Sequence, residues 1–249
     1  MSDQAETNGT DVITLPFGTL RGGAAFELWA DLIGTVLEPD IAAEDVADFS
    51  FGLTGAHLGA LVIGSSRSVG FNYRRTAGTI GRSGIDHYFI QINDAAPFRL
   101  AVDGRDETIE RDDIWFGDLS RPVETWTGAF RNTSLVIPRA QLETLLDAPD
   151  DLHGRVIRAQ SPLGTLLRTH VRRLMEVTPH LGAHEAEALV APTLGLVAAC
   201  AGLNRERRDE AERTAASISL ARVRAHVDRR LGDPDLSPET ICRHLGVSR

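Results

Sequence analysis

FRLAVDGRDETIERDDIWFGDL, Phe98 to Leu119, is the stretch whose reading decides the fold. FRLAV and DETIERDDIWFGDL alternate or cluster β-forming residues, and Asp103-Gly104 stands between them, where a two-residue hairpin turn needs positive φ values. The same period of two extends outward on both sides, from about Asp48 to Pro138. It runs through HLGALVIG (57–64), SVGFNYRRT (68–76), DHYFIQIN (86–93) and FRNTSLVIP (130–138). Short strands at this spacing predict a barrel or a sandwich.

Helical periods flank the strands. AAFELWADLIGTVL, Ala24 to Leu37, places Phe26, Trp29, Ile33 and Val36 on one face, with Pro39 closing the segment. Residues 1–16 have no period and are expected to be a mobile tail. After Pro138, RAQLETLL reads as a short helix, and SPLGTLLRTHVRRLMEVT as a longer one capped by Ser161 and Pro162. Leu163, Leu167, His170, Leu174 and Val177 share a stripe on it. AHEAEALVAPTLGLVAACAGL comes next, with small residues at Ala188, Ala191, Gly195, Ala198 and Ala199 and an expected kink at Pro192. The highly charged run from Asn204 to Arg213 reads as a linker, and SLARVRAHVDRRLGD as a further amphipathic helix.

The chain has 249 residues and a formal charge of −9, with all 26 basic residues arginine. Acidity is concentrated in residues 1–155 and the remainder is mildly basic. This argues against a non-specific nucleic-acid coat but is compatible with a small terminal DNA-binding module. No run of about eighteen apolar residues and no secretory leader is apparent, so a cytoplasmic protein without a membrane span is expected. Cys200 and Cys242 fall in helical segments and suit buried thiols better than a disulfide.

The last residues, DLSPETICRHLGVSR, contain a helix capped by Ser237 and Pro238 and broken at Gly246. A turn then comes in which Ser248 can cap another helix beginning at Arg249. That is the order of a helix-turn-helix whose reading helix has only just begun, with Cys242 where the two helices cross closely. SISLARVRAHVDRRLGDPDLSPETICRHLGVSR resembles the first third of the AraC/XylS-type DNA-binding domain. In the body, FELWADLIG, the Arg75-Thr76 pair, VDGRDETIERDDIWFGDLSRPVE and LVIPRAQLETLL resemble, in order, the regulatory domain of the AraC-binding-like regulators of small aromatic or related metabolites.

The resemblance implies an α+β chain: a cupin-like β-barrel, then a helical dimerisation segment, then an incomplete all-α helix-turn-helix domain. The expected divisions are 1–16 tail, 17–155 sensor barrel, 156–213 helical segment and linker, and 214–249 truncated DNA-binding domain. The implied function is a one-component transcription regulator, homodimeric, with DNA and a small-molecule effector as partners. Arg243, Ser248 and Arg249 would then face DNA, with solvated arginines as the competing reading. The alternatives are a cupin-type metalloenzyme and a sensor-only protein that pairs with full-length regulators.

For the effector, Phe71, Tyr73, His87, Phe89 and Trp115 are strand residues of which some must line the barrel mouth, with plain core packing as the competing account for each. Arg75 and Arg121 are conceivable partners for a ligand carboxylate, against structural ion pairing with nearby acids. His170 reads as a helix-interface histidine. A metal site is not expected, because the barrel region supplies only His57 and His87 and no His-x-His. His180 and His184 read as a solvated pair. No organic cofactor is expected either: the nucleotide and hydrolase signatures are missing, so no catalytic residue is assigned.

Overall fold

The structure, a computed structural model, describes residues 12–202. The chain divides between Ala201 and Gly202, and the described residues belong to the first unit apart from Gly202 itself. The expected linker, the terminal helices and Arg243, Ser248 and Arg249 lie outside them.

Twelve strands form two antiparallel sheets among the described residues. In chain order they are β1 (Val12–Leu15), β2 (Glu38–Asp40), β3 (Phe51–Leu58), β4 (Leu61–Ser68), β5 (Asn72–Arg75), β6 (Tyr88–Asn93), β7 (Phe98–Val102), β8 (Arg105–Ile109), β9 (Ile114–Asp118), β10 (Val123–Trp126), β11 (Phe130–Ile137) and β12 (Val156–Ile157). The larger sheet has the order β1-β3-β4-β11-β6-β9-β12, and the smaller β2-β5-β10-β7-β8. Folded over one another they make a cupin-like jelly roll, followed by helices. The Asp103-Gly104 expectation holds: φ is 51° and 71° there, and Val102 faces Arg105 across the β7–β8 hairpin.

The larger sheet is buried on both faces, which is why β6 is buried along its whole length. One face carries Ile63, Ile90, Phe116, Leu135 and Ile137 against the helical layer. That layer is α4 (Pro162–Val177) and the helix Ala183–Gly202. The opposite face looks into the barrel. α4 starts as expected, with Ser161 Oγ accepting the Gly164 N–H at 3.2 Å and Pro162 in the first turn. Its buried stripe is Gly164, Leu167, Val171 and Leu174. His170 lies at the flank instead, its Nε2 2.9 Å from Thr193 Oγ1.

The helix Ala183–Gly202 is interrupted at Leu189, one turn before Pro192, where the missing proline N–H leaves a gap in the ladder. By length and composition alone it could cross a membrane. Here Ala186, Val190, Leu194 and Val197 pack into the sheet-side core, a packing that accounts for its apolar character.

Several elements differ from the sequence reading. The first helix, α1, is Gly22–Ile33 rather than Ala24–Leu37, because Gly34 caps it through its N–H to Ala30 O at 2.8 Å. Val36 and Leu37 then lead into β2, where Pro39 sits on an edge strand, a place proline tolerates. Val12–Leu15, inside the expected tail, pairs with β3 as β1. A short helix, α2 (Ala77–Ser83), had no signal beyond its ends: Thr76 caps it and Gly84 closes it at φ 61°. RAQLETLL forms one helical turn, α3 (Arg139–Leu142), and then a 3-10 turn.

Candidate ligand site in the barrel lumen

Between α1 and the lumen face of the larger sheet lies a cavity of about 400 Å³. This is at the lower end of the range for small-molecule sites, about 300–1,000 Å³. Its apolar wall comes from Trp29, Ile33, Val36 and Leu37 of the α1 segment, with Phe89, Phe130 and Val136 opposite. Trp29 and Phe130 belong to a larger aromatic cluster with Phe49, Phe51, Phe71 and Tyr73. The floor is polar: Ser66 of β4, Gln91 of β6, and Asn132 and Ser134 of β11. Strand alternation explains this, since Asn132, Ser134 and Val136 point one way while Leu135 and Ile137 point to the helices.

The floor is internally wired. Trp115 Nε1 donates to Gln91 Oε1 at 3.0 Å, and Gln91 Nε2 donates to Ser134 Oγ at 3.3 Å. Ser66 Oγ donates to Asn132 Oδ1 at 2.7 Å. Tyr73 lines the same space, and burial pushes its phenol up to about 12, so it stays protonated.

Of the residues singled out from the sequence, the structure brings Tyr73, His87 and Phe89 into this lining. His87 sits just before β6, its Nδ1 3.4 Å from Asp86 Oδ1. Trp115 stands behind Phe89, ring on ring at 4.7 Å in a T-shaped contact, and reaches the floor only through Gln91. Phe71 packs inside the aromatic cluster, 5.5 Å from the Phe130 ring. Gly117 makes room for Phe89: a Cβ there would lie 2.1 Å from Phe89 Cε1.

The two arginines stand apart from the lumen. Arg75 is 1% exposed, and its guanidinium is fully engaged. Nε donates to Leu119 O at 2.5 Å, Nη1 to Thr35 O at 3.4 Å and Val36 O at 2.5 Å, and Nη2 to Ser83 Oγ at 3.0 Å and Ile85 O at 2.9 Å. An arginine side chain has five N–H donors, so all are used. Its partners are carbonyls and a hydroxyl rather than the carboxylates anticipated. Arg75 thereby ties together three segments that each contribute to the lining, at Val36, Ile85 and Leu119. Arg121 lies outside the lining, with Nη2 2.6 Å from Asp103 Oδ2 and Nη1 2.8 Å from Asp150 O. Among the described residues, no three His, Cys, Asp or Glu side chains converge as a metal-ligand set.

The fold has a known setting. Residues 29–200 match the AraC-binding-like domain over more than half of the chain. The chain belongs to the AraC-binding-like family. Among solved structures, the AraC-like transcriptional activator CuxR has a TM-score of 0.66 at 21% identity, over 96% of this chain and 85% of that one. An RmlC-like cupin from Shewanella frigidimarina NCIMB 400 scores 0.28 at 13% identity, over 42% of this chain and 86% of that one. KdgF from Halomonas sp. scores 0.27 at 11% identity, over 36% and 79%. Likenesses as partial as these two say nothing about function. No curated protein matches the sequence.

In this AraC-binding-like barrel the lining residues that sequence reasoning missed are Ser66, Gln91, Asn132 and Ser134. Their signal was present as polar residues two apart in FRNTSLVIP and a lone glutamine in DHYFIQIN. It was hidden because a strand is ordinarily read with its apolar side inward, whereas here the apolar side faces the helices and the polar side faces the lumen.

Proposed function

We propose that this chain is a one-component transcription regulator of the AraC/XylS type, acting in the cytoplasm. A small effector of aromatic or related chemistry enters the lumen cavity and controls sequence-specific DNA binding by the DNA-binding domain to which the C-terminal residues belong. The observation that carries this reading is the cavity itself: apolar walls and a hydrogen-bonding floor, inside a barrel of the AraC-binding-like family, with the nearby arginines already engaged. Such a lining suits binding rather than catalysis, so the chain is read as a sensor and not as an enzyme. Stoichiometric iron, zinc or manganese in the purified protein would favour the metalloenzyme alternative.

On this reading residues 17–155 sense, 156–213 carry the dimer contact and linker, and 214–249 belong to the DNA-binding domain. The outward side of the helix Ala183–Gly202 presents Ala188, Ala191, Gly195 and Ala199, small enough for a second copy to approach closely. Light scattering at micromolar concentration should report a dimer, and a clean monomer counts against that contact. Arg243 and Arg249 are assigned to phosphate or groove, with Ser248 capping the reading helix.

Gel-shift assays test the regulator reading. The 249-residue chain should bind operator DNA negligibly, whereas a chain extended through both helix-turn-helix units should bind with strong salt dependence. Specific operator binding by the shorter chain would show that residues 214–249 suffice to read DNA, and failure of the extended chain at every salt concentration would refute the regulator.

A further inference from the structure

The lumen floor distinguishes between classes of ligand. Trp115 can only donate, so Gln91 must turn Oε1 toward it and Nε2 toward Ser134 Oγ. Ser134 Oγ is thus used as an acceptor, and its own O–H is left to donate into the lumen. Ser66 occupies Asn132 Oδ1, and no acceptor meets Asn132 Nδ2 among the described residues, although Asn132 is only 7% exposed. Among the described residues the lining's buried side-chain N–H without a partner is Trp29 Nε1, and such a group costs about 1–3 kcal/mol, which a ligand acceptor would recover. Asn132 and Ser134 stand two apart on β11, so these free donors lie about 7 Å from each other along one wall.

Charge is missing from the same surface. Among the described residues, no aspartate, glutamate or arginine lines the cavity. Arg75 has spent its five N–H groups on protein acceptors, and Arg121 pairs with Asp103 outside. His87, the single titratable base in the described lining, has a side chain 41% exposed at the rim and faces the Asp86 carboxylate. A buried anion would therefore lose its hydration with no cation to replace it.

We infer that the lumen is built for an uncharged, largely apolar ligand that offers acceptor oxygens of carbonyl or ester type to Asn132 and Ser134. This rests on the lumen being the effector site. The test uses N-phenyl-1-naphthylamine, an uncharged dye that brightens in apolar surroundings, as the reporter bound to the full chain. Ethyl benzoate, benzoate and naphthalene compete at pH about 7.5, where benzoate is ionised as any carboxylate of ordinary pKa is. Ethyl benzoate should displace the dye at a concentration at least about tenfold below that of benzoate, since an unpaired charge resists burial. Ser134→Ala should weaken the ester about 2- to 10-fold, the span of one neutral hydrogen bond, and leave naphthalene unchanged. Asn132→Leu should do the same, and Ser134→Ala stands alone if that variant folds poorly.

Benzoate competing as well as the ester would overturn the inference, as would an equal loss for ester and naphthalene in Ser134→Ala. A failure of the effector-site reading looks different: the dye would not bind, or would bind unchanged when Ser134→Phe fills the lumen. In that case both fall. Dye binding that Ser134→Phe abolishes, together with a preference for benzoate, would remove only the inference about charge.

Discussion

Replacing Arg75 by Met keeps a long side chain in the same space and removes all five N–H donors at once. The carbonyls of Val36, Ile85 and Leu119 then lose their partners, the last in a buried setting and the first two in partly buried ones. Each buried polar group left unpaired costs about 1–3 kcal/mol, so three cost roughly 3–9 kcal/mol. Part is offset, because burial disfavours the charged guanidinium and pushes its pKa down, and Met has no charge to desolvate. A net loss of roughly 3–5 kcal/mol remains, against about 5–15 kcal/mol for a whole domain. Urea unfolding followed by tryptophan fluorescence reads this unit directly, since Trp29, Trp115 and Trp126 all lie within it. With a slope of about 2 kcal/mol per molar urea, the midpoint should fall by roughly 2 M. Arg75→Lys, with three donors and retained charge, should fall between the two. A midpoint for Arg75→Met within about 0.5 M of the parent would refute the reasoning. It would mean that the five contacts contribute little and that the cation is kept for a ligand after all.

Other perturbations draw on the same packing. Gly117→Ala places a Cβ 2.1 Å from Phe89 Cε1. Carbon contacts relax near about 3.5–4.0 Å, so the ring must move by about 1.5 Å, at a cost of about 1–3 kcal/mol. Calorimetry should show a Tm lowered by roughly 2–10 °C, and a Tm unchanged within about a degree would show that the ring yields freely. Ser161→Ala removes the cap of α4 and should cost about 1 kcal/mol in urea unfolding; no loss would mean that solvent caps the Gly164 N–H equally well. His153 Nδ1 accepts the Asp118 N–H at 3.0 Å and its Nε2 donates to Pro122 O at 3.0 Å, while burial holds its pKa below 6.5. The unfolded chain therefore takes up this proton first, so stability falls as pH drops from about 6.5 toward the folded pKa and levels off below it. His170, also lowered by burial, adds in the same direction. Urea midpoints between about pH 7.5 and 5.5 should show the decline, with a shallower slope in His153→Gln; equal slopes would assign the effect elsewhere.

The barrel was legible because its strands keep period two and its hairpin turn advertises positive φ at Asp103 and Gly104. α4 was legible for the same kind of reason, a capping serine, a proline and an apolar stripe. α2 was not, because AGTIGRS holds two glycines and has little intrinsic preference for a helix; tertiary contacts and its end caps form it. β1 is a four-residue edge strand whose VITL carries no alternation to separate it from a tail. At the site, aromatic residues advertised themselves, and Tyr73 and Phe89 do line the lumen. The arginine was harder. Sequence shows a cation among many acids, but only the fold reveals that backbone carbonyls reach Arg75 and fill its valences. The hydroxyl and amide floor was hidden by the second buried face of the larger sheet, which reverses the usual meaning of polar and apolar positions.

That second face has a mechanical corollary. Along β11, neighbouring residues belong alternately to two compartments, Asn132 and Ser134 to one and Leu135 and Ile137 to the other. A molecule that tugs on the amide of Asn132 pulls the same ribbon on which Leu135 presses against the helices. If the lumen is the effector site as proposed, signal and response would be separated by the thickness of a single peptide plane, with no intermediate lever needed to carry a displacement from one to the other.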